Sequence, residues 1–316
     1  MSGLLRSNLV VATGTALSRV SGLARVLALA YVIGQNAVTD AYKFANETPN
    51  IIYDLLLGGV LSATLVPLFT SLIGRDDGRD DEHATNAVMT AAMAVMVGLT
   101  VVAVVAAPLV FSLYSLGTST GVDAAQFRQA GTALTRIFLV QILFYGLTGL
   151  ANAYLNSRRK FLAAAWSPIA PNLVIVVTLL SLPDPGSSGW TLSDVVTDGR
   201  LRLTLGLGAT LGIASMAAIV VPAAIRSGLR YRPVWNWRHP AVRRLLTLSG
   251  WTLGFVLANQ VAVVVIRNLA LSEGAGIGSA YVDAFTWFVL PHGLLAVSVA
   301  TTFQPELARA VADKDR

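Results

Sequence analysis

The chain has 316 residues, of which 54% are hydrophobic and only 13% are charged. Soluble domains carry about 25% charged residues, so this composition excludes a soluble globular protein and indicates an integral membrane protein. The net charge of +6 does not indicate nucleic acid as a partner, because the basic residues cluster in short loops between apolar segments. Cysteine is absent, which excludes disulfides and thiolate metal sites.

Apolar segments follow one another along the whole chain. A spanning helix needs about 20 mostly apolar residues, and this criterion predicts about eight such helices. They cover residues 7–33, 41–73, 85–115, 126–155, 161–182, 203–226, 243–270 and 280–305. The predicted fold class is therefore all-α, a polytopic membrane protein.

The first segment carries Arg19 and Arg25 inside its apolar run. An ionisable residue within the membrane costs about 2.5–3.5 kcal/mol and by default faces protein or water. The two arginines are separated by roughly 9 Å along a helix, and guanidinium groups match phosphate geometry. We expect them to bind a ligand with more than one anionic group. The alternative for either one alone is that it extends to the interface or pairs with Asp40 or Asp54.

The second segment is too polar to face lipid throughout. Its polar side chains are Lys43, Asn46, Glu47, Asn50 and Asp54. Asp40, at its start, either caps this helix or forms a gate with an arginine. Pro49 removes a backbone hydrogen bond, so Asn50 either satisfies the freed carbonyl or contacts substrate.

Two later arginines also lie in predicted helices. Arg136 is about ten residues into the fourth segment, where it lines a cavity or its outer mouth. Arg267 lies near the outer end of the seventh segment, where it lines the same cavity or its mouth or, in the interpretation that we favour, anchors the helix at the membrane interface.

No sequence motif indicates an enzyme. Nucleotide-binding loops, dinucleotide fingerprints and catalytic triads are missing from the sequence, so no cofactor is expected. His83, His239 and His292 show no metal-ligand spacing, so no metal site is expected either. The stretch "GLGATLG" (206–212) resembles a phosphate loop, but its apolar setting indicates small-residue helix packing.

Loop charges predict the orientation. "RRK" (158–160) and the arginines between residues 226 and 244 favour the cytoplasmic side. The loops 35–39 and 116–125 contain no Lys or Arg and fit the outer side. Both ends of this chain are therefore expected to be cytoplasmic.

An internal repeat indicates two lobes. Asp40, Pro49 and Pro67 recur as Asp283, Pro291 and Pro305, with offsets of 243, 242 and 238 residues. One lobe is then about six helices long. We predict an amino-terminal six-helix lobe over residues 1–232 and the first two helices of a second lobe over 233–316. A weaker echo, "TPNII" (48–52) against "APNLV" (170–174), indicates three-helix units within the first lobe or arises by chance.

Paired lobes, proline-broken helices and ionisable groups at membrane depth are features of secondary transporters with a central cavity. The stretches "SRVSGLARVLALAYVIG" and "TDAYKFANETPNIIYD", followed by "NAYLNSRRKFLAAAWSPIAPNLVIV", resemble the MurJ/MviN lipid II flippase family of the multidrug/oligosaccharidyl-lipid/polysaccharide exporter superfamily. The resemblance covers essentially the whole chain. It implies a multi-pass protein of the inner (cytoplasmic) membrane, of which this chain holds about eight of the family's fourteen helices.

The resemblance also implies a function and a site. Family members flip the undecaprenyl-pyrophosphate-linked peptidoglycan precursor by alternating access, without a cofactor. The family's arginines fall on Arg19 and Arg25, expected to bind pyrophosphate, and its aspartate falls on Asp40. Its implied partners are this precursor, membrane lipids and cell-wall synthesis proteins. The predicted substrate-binding residues are Arg19, Arg25, Asp40, Lys43, Asn50 and Arg136.

The sequence departs from the family pattern at two arginine positions. Tyr53 and Ala284 stand where arginines are usual, and Glu47 occupies a position that is often basic. These changes weaken attraction to a pyrophosphate unless Arg136, Arg267 or Lys43 substitutes. Two other functions therefore stay open: export of another polyprenyl-linked glycan or amphipathic solute, and a non-transporting scaffold for cell-wall enzymes.

Overall fold

The computed structural model describes residues 2–54, 65–72, 82–119 and 121–291, and these contain helices but no strand. The helices are α1 Ser2–Val32, α2 Ala37–Asp54, α3 Val66–Leu72, α4 Glu82–Val105, α5 Ala107–Leu113, α6 Ala124–Phe138, α7 Gln141–Ser157, α8 Leu162–Trp166, α9 Ile169–Leu180, α10 Leu192–Thr197, α11 Gly199–Arg226, α12 Pro240–Glu273 and α13 Ile277–Pro291.

Five stretches of the described residues are long and apolar enough to cross a membrane. They are Val10–Val32, Glu82–Val105, Ala124–Ser157, Leu162–Leu180 and Gly199–Arg226. The predicted fold class, an all-α protein with several membrane-spanning helices, is confirmed. The division into lobes at residues 232 and 233 stays a prediction.

Three segments predicted as single helices are interrupted. One helix ends and the next begins around Ala106, just before Pro108 in the first turn of α5. A second interruption lies at Pro168, before α9. Proline lacks a backbone N–H and is tolerated where a helix begins. Between α6 and α7, the N–H groups of Ile142 and Leu143 bond to carbonyls three residues earlier, which tightens the chain without a proline.

The sixth predicted helix begins earlier than its apolar run. Asp198 accepts hydrogen bonds from the N–H groups of Arg200 and Leu201, so α11 begins at Gly199. A helix needs such a cap because its first N–H groups have no partner within the helix. The polar first turn of α11 is therefore helical, and a search for apolar residues alone does not include it.

Small residues let α11 pack closely, as predicted for residues 206–212. A methyl group on Gly208 would overlap Thr178 of α9, and one on Gly212 would lie 3.0 Å from the carbonyl oxygen of Pro171. This stretch is helix packing rather than a phosphate loop.

The two Pro-Asn pairs make equivalent contacts. Asn50, after Pro49 in α2, accepts a hydrogen bond of 2.7 Å from the hydroxyl of Tyr145 in α7. Asn172, after Pro171 in α9, donates one of 3.0 Å to the hydroxyl of Ser21 in α1. Each asparagine thus ties its helix to a helix of the other predicted three-helix unit, and the weaker repeat itself stays a prediction.

Candidate functional site

A small cavity of about 100 Å³ lies between α1, α2, α9 and α13. Arg25 of α1 lines it together with Lys43 and Asn50 of α2. These three predicted site residues, distant in sequence, are therefore brought together. Its other polar lining residues are Asn46, Glu47, Asp283 and Thr286.

Lys43 and Asp283 form an ion pair across the cavity. The Nζ–Oδ1 distance is 2.6 Å, and the side chains are only 10% and 13% exposed. The second carboxylate oxygen of Asp283 accepts a hydrogen bond of 2.7 Å from Gln35. The pair joins α2 to α13, and removing one partner would leave the other charge buried without compensation.

Glu47 and Arg267 form a second ion pair, between α2 and α12, with an N–O distance of 2.8 Å. The Arg267 side chain is only 7% exposed and its guanidinium carbon lies 4.9 Å from the centre of the Phe44 ring. The interpretation of Arg267 as an interface anchor was wrong. Its buried charge is compensated by a carboxylate and an aromatic face instead.

Asp40 caps a helix other than its own. Its carboxylate accepts hydrogen bonds of 2.6 Å from the N–H groups of Gly276 and Ser279 and from the Ser279 hydroxyl. These N–H groups lie at the start of α13, where a helix favours a negative charge. The cap of α2 is Asn36, whose side-chain oxygen accepts from the N–H groups of Val38 and Thr39. Neither predicted role of Asp40, as the cap of α2 or as a partner of an arginine, is therefore seen.

Asp40, Lys43 and Glu47 lie on one face of α2, and we call them the α2 clamp. Positions i, i+3 and i+7 share a helix face over roughly 10 Å of axis. Their partners belong to α12, α13 and the connection between them. Nearby, the Asn268 side chain of α12 accepts hydrogen bonds from the N–H groups of Leu116 and Gly117. One end of the helix assembly is thus closed by polar contacts, of which those of Asp40 are buried and those of Gln35 and Asn268 are more exposed.

Arg25 is differently placed from the clamp. Of the four charged residues that line the cavity, Lys43, Glu47 and Asp283 have ion-pair partners. Arg25 forms no ion pair with any residue that the structure describes. A half-buried guanidinium without a carboxylate partner can bind an anion that enters the cavity.

Two predicted residues lie elsewhere. Arg19 is half-buried in α1 but does not line this cavity. Arg136 lines a second cavity, with Arg128 and Arg202. The structure therefore separates both arginines from the Arg25 site.

Some predicted features lie outside the described residues. These are the side chains of Tyr53 and Asp54, together with His292 and Pro305. Ala284 is described and exposed, so the arginine expected beside Asp283 is replaced by a methyl group.

Sequence reasoning missed Gln35, Gly276 and Ser279 as contributors to the closed end. They bond to the carboxylates of Asp40 and Asp283, but lie in connections or first turns without a motif. By contrast, Glu47 and Arg267 carried a signal, since charged residues in apolar helices need partners.

The chain is similar to known proteins over nearly its whole length. A family model described as lipid II flippase MurJ matches residues 29–316. The probable lipid II flippase MurJ of Vibrio cholerae is 27% identical, over 98% of this chain and 58% of its own. The lipid II flippase MurJ of Burkholderia cenocepacia is 30% identical, over 99% of this chain and 58% of its own.

A solved structure of lipid II flippase MurJ in the inward closed conformation shares the fold, with a TM-score of 0.71 at 22% identity. The match includes 93% of this chain and 57% of the solved chain. This chain therefore spans a little over half the length of these relatives. Since the family model matches most of its residues, the chain belongs to the lipid II flippase MurJ family.

Proposed function

We propose that this protein moves lipid II, the undecaprenyl-pyrophosphate-linked peptidoglycan precursor, from the inner to the outer leaflet of the cytoplasmic membrane. One observation carries the proposal: in a member of this family, Arg25 lines a cavity between α1, α2 and α13 and has no carboxylate partner among the described residues. Its guanidinium can bind a pyrophosphate through paired N–H donors.

The α2 clamp supports alternating access. It closes one end of the cavity through contacts that must break together if α2 moves away from α12 and α13. Such separation would break the Lys43–Asp283 and Arg267–Glu47 ion pairs and so free both cations. Two further cations would then be available to an anionic headgroup, so opening and substrate binding are coupled.

In the proposed orientation the clamped end lies on the outer side and both ends of this chain lie in the cytoplasm, and the charge pattern of the loops supports this orientation. Moving a lipid across a bilayer forms and breaks no covalent bond, so the proposed activity is transport without enzymatic chemistry. The precursor and membrane lipids are then the direct partners, and cell-wall synthesis proteins are the proposed protein partners.

A second candidate is the export of another polyprenyl-linked glycan or an amphipathic solute. It is favoured by the charges lining the cavity, because Arg25 and Lys43 are formally balanced by Glu47 and Asp283. Ala284 removes a further cation. A substrate with less negative charge than a pyrophosphate would suit this balance better.

The test is flipping of labelled lipid II by the full-length protein in proteoliposomes. Arg25→Ala should lower the rate by about tenfold or more, because a charge-assisted hydrogen-bonding group is lost. Arg226→Ala is the matched control, since Arg226 is exposed at the end of α11 and should leave the rate unchanged.

Undiminished flipping by the Arg25→Ala variant would contradict the proposed role of this cavity. If the unmodified protein moves a different polyprenyl-linked glycan but not lipid II, the second candidate replaces the first. Both outcomes can be read from the same assay with two labelled lipids.

A further inference from the structure

A larger cavity, of about 410 Å³, lies between α6, α10 and α11 and is separate from the Arg25 site. Three arginines line it: Arg128, Arg136 and Arg202. Its remaining lining residues are Gln129, Thr132, Ala133 and Val196. No carboxylate is among these lining residues, so the cavity wall carries a formal charge of +3.

One face of α6 supplies most of this wall. Arg128, Thr132 and Arg136 are spaced four residues apart, so they lie along the same side of the helix over about 12 Å. Arg128 and Arg136 are both exposed. An anion in the cavity can therefore reach donors from two turns of the same helix.

The arginines are held by neutral groups rather than by acids. Arg202 donates hydrogen bonds of 3.3 and 2.9 Å to the carbonyl oxygens of Val195 and Val196, near the end of α10. Arg128 donates one of 3.3 Å to the carbonyl oxygen of Ser115. Arg136 forms no ion pair with the part of the chain that the structure describes. Carbonyl partners thus orient the Arg128 and Arg202 guanidinium groups without cancelling their charge.

The nearby carboxylates are engaged at helix ends. Asp123 accepts from the N–H groups of Ala125 and Gln126 at the start of α6. Asp198 does the same for α11, and Asp194 belongs to the capping box of α10. Each carboxylate compensates a helix N-terminus, which leaves the cavity arginines available to an external anion.

Exposed apolar side chains lie close in the chain to two of the cavity arginines. Val140, one turn after Arg136, is 37% exposed, and Leu203, which follows Arg202, is 50% exposed. In a membrane protein such residues face acyl chains. A ligand that has both a negative head and an apolar tail fits this combination better than a free anion does.

We infer that this cavity binds the phosphate-bearing headgroup of an anionic phospholipid, with Arg128, Arg136 and Arg202 as its ligands. The phosphodiester accepts hydrogen bonds from the guanidinium groups, and the acyl chains lie against the adjacent apolar surface. The inference does not depend on the flipping activity, and its failure would leave the proposed function untouched.

The test is lipid binding by the full-length protein in detergent, measured by native mass spectrometry. Dioctanoyl phosphatidylglycerol should bind saturably and more tightly than both dioctanoyl phosphatidylcholine and inorganic phosphate. The double variant Arg128→Gln/Arg136→Gln should weaken phosphatidylglycerol binding by about tenfold or more. Arg202 is left intact because it also binds the end of α10.

The control variant, Arg200→Gln/Arg226→Gln, removes the same charge from exposed positions that do not line the cavity. An equal loss in both variants would overturn the inference, because attraction would then come from net charge alone. So would equal binding of the two lipids by the unmodified protein, or phosphate binding as tight as lipid binding. The comparison of ligands on the unmodified protein needs no variant to fold.

Discussion

Asp40 accepts three hydrogen bonds from the beginning of α13 and is completely buried. Its chemistry as a cap follows from the sequence, since a carboxylate at the start of a helix favours backbone N–H donors. Which helix it caps does not follow, because Asn36 lies closer to the start of α2 and takes that position. Whether Asn36 or Asp40 caps α2 depends on how α13 packs against α2, and a single sequence does not show that packing.

Replacing Asp40 by alanine should lower the free energy of unfolding by about 3 kcal/mol, because buried N–H groups lose their partner. The measurement is unfolding of the full-length protein in mixed micelles. Asp184→Ala is the control: Asp184 is exposed and accepts one hydrogen bond, from Gly186. An equal effect of the two substitutions would show that Asp40 is not a buried cap.

Lys43 and Asp283 should be energetically coupled. A double-mutant cycle with Lys43→Ala and Asp283→Ala should give an interaction energy of about 1–3 kcal/mol, since the residues are in contact and nearly buried. Unfolding in mixed micelles measures each corner of the cycle. Lys43→Ala combined with Asp194→Ala should be additive within about 0.5 kcal/mol; coupling in that pair as well would argue against a specific ion pair.

At the scale of elements, apolar windows predicted where helices lie but not where they break. The proline residues at 108 and 168 indicate two of the interruptions. They were not used, because segments 85–115 and 161–182 are each long enough for a single spanning helix. The interruption at Leu139 and Val140 has no sequence signal, since both residues are ordinary helix formers in a membrane. It depends on how α6 and α7 pack against their neighbours.

The connection between α12 and α13 requires glycine at position 276. Gly276 has a φ of +83°, and a methyl group there would lie 2.5 Å from the carbonyl oxygen of Gln35. Its N–H also donates to Asp40. The backbone of this turn and the cap of α13 are therefore one unit.

Gly276→Ala should lower the free energy of unfolding by about 2 kcal/mol, from the left-handed backbone and the close contact together. The measurement is again unfolding in mixed micelles. Gly121→Ala is the matched control, because no atom lies within 4 Å of the added methyl group. Stability unchanged by the Gly276 substitution would mean that this turn adapts without strain.

At the scale of the molecule, the sequence predicts the convergence of Arg25, Lys43 and Asn50 only in part. Each residue was recognisable as a polar group in an apolar helix. Their meeting in one cavity needs α1, α2 and α13 to pack together, and no local pattern encodes that. The same limit explains why Arg136 lies in a different cavity from Arg25.

Alternating access predicts that fixing the clamped end stops transport. These 316 residues contain no cysteine, so once any cysteine elsewhere in the full-length protein is replaced, Gln35→Cys/Asp283→Cys can be joined selectively by a short bis-methanethiosulfonate reagent, whose disulfide bonds can be reduced. Cross-linking should abolish flipping by the full-length double variant, and reduction should restore that variant's own rate before cross-linking, because Gln35 and Asp283 belong to elements that separate in the proposed movement. Since Asp283→Cys removes the partner of Lys43, the comparison is made within the double variant.

The control joins two positions of the predicted amino-terminal lobe, Thr90→Cys and Tyr231→Cys, whose hydroxyl groups are 3.2 Å apart in the unmodified chain. Flipping should survive this link. Transport that persists with the first pair fully cross-linked would contradict the proposed movement of α2 relative to α13.

The cap that α2 supplies to α13 also limits how this end of the molecule can open. The N–H groups of Gly276 and Ser279 donate hydrogen bonds to the Asp40 carboxylate. If these groups separated without water, each would be left unsatisfied, at a cost of about 1–3 kcal/mol. Water can replace both partners, whereas a lipid chain cannot. The helices can therefore separate cheaply only as water enters between them, so that opening and hydration are a single event.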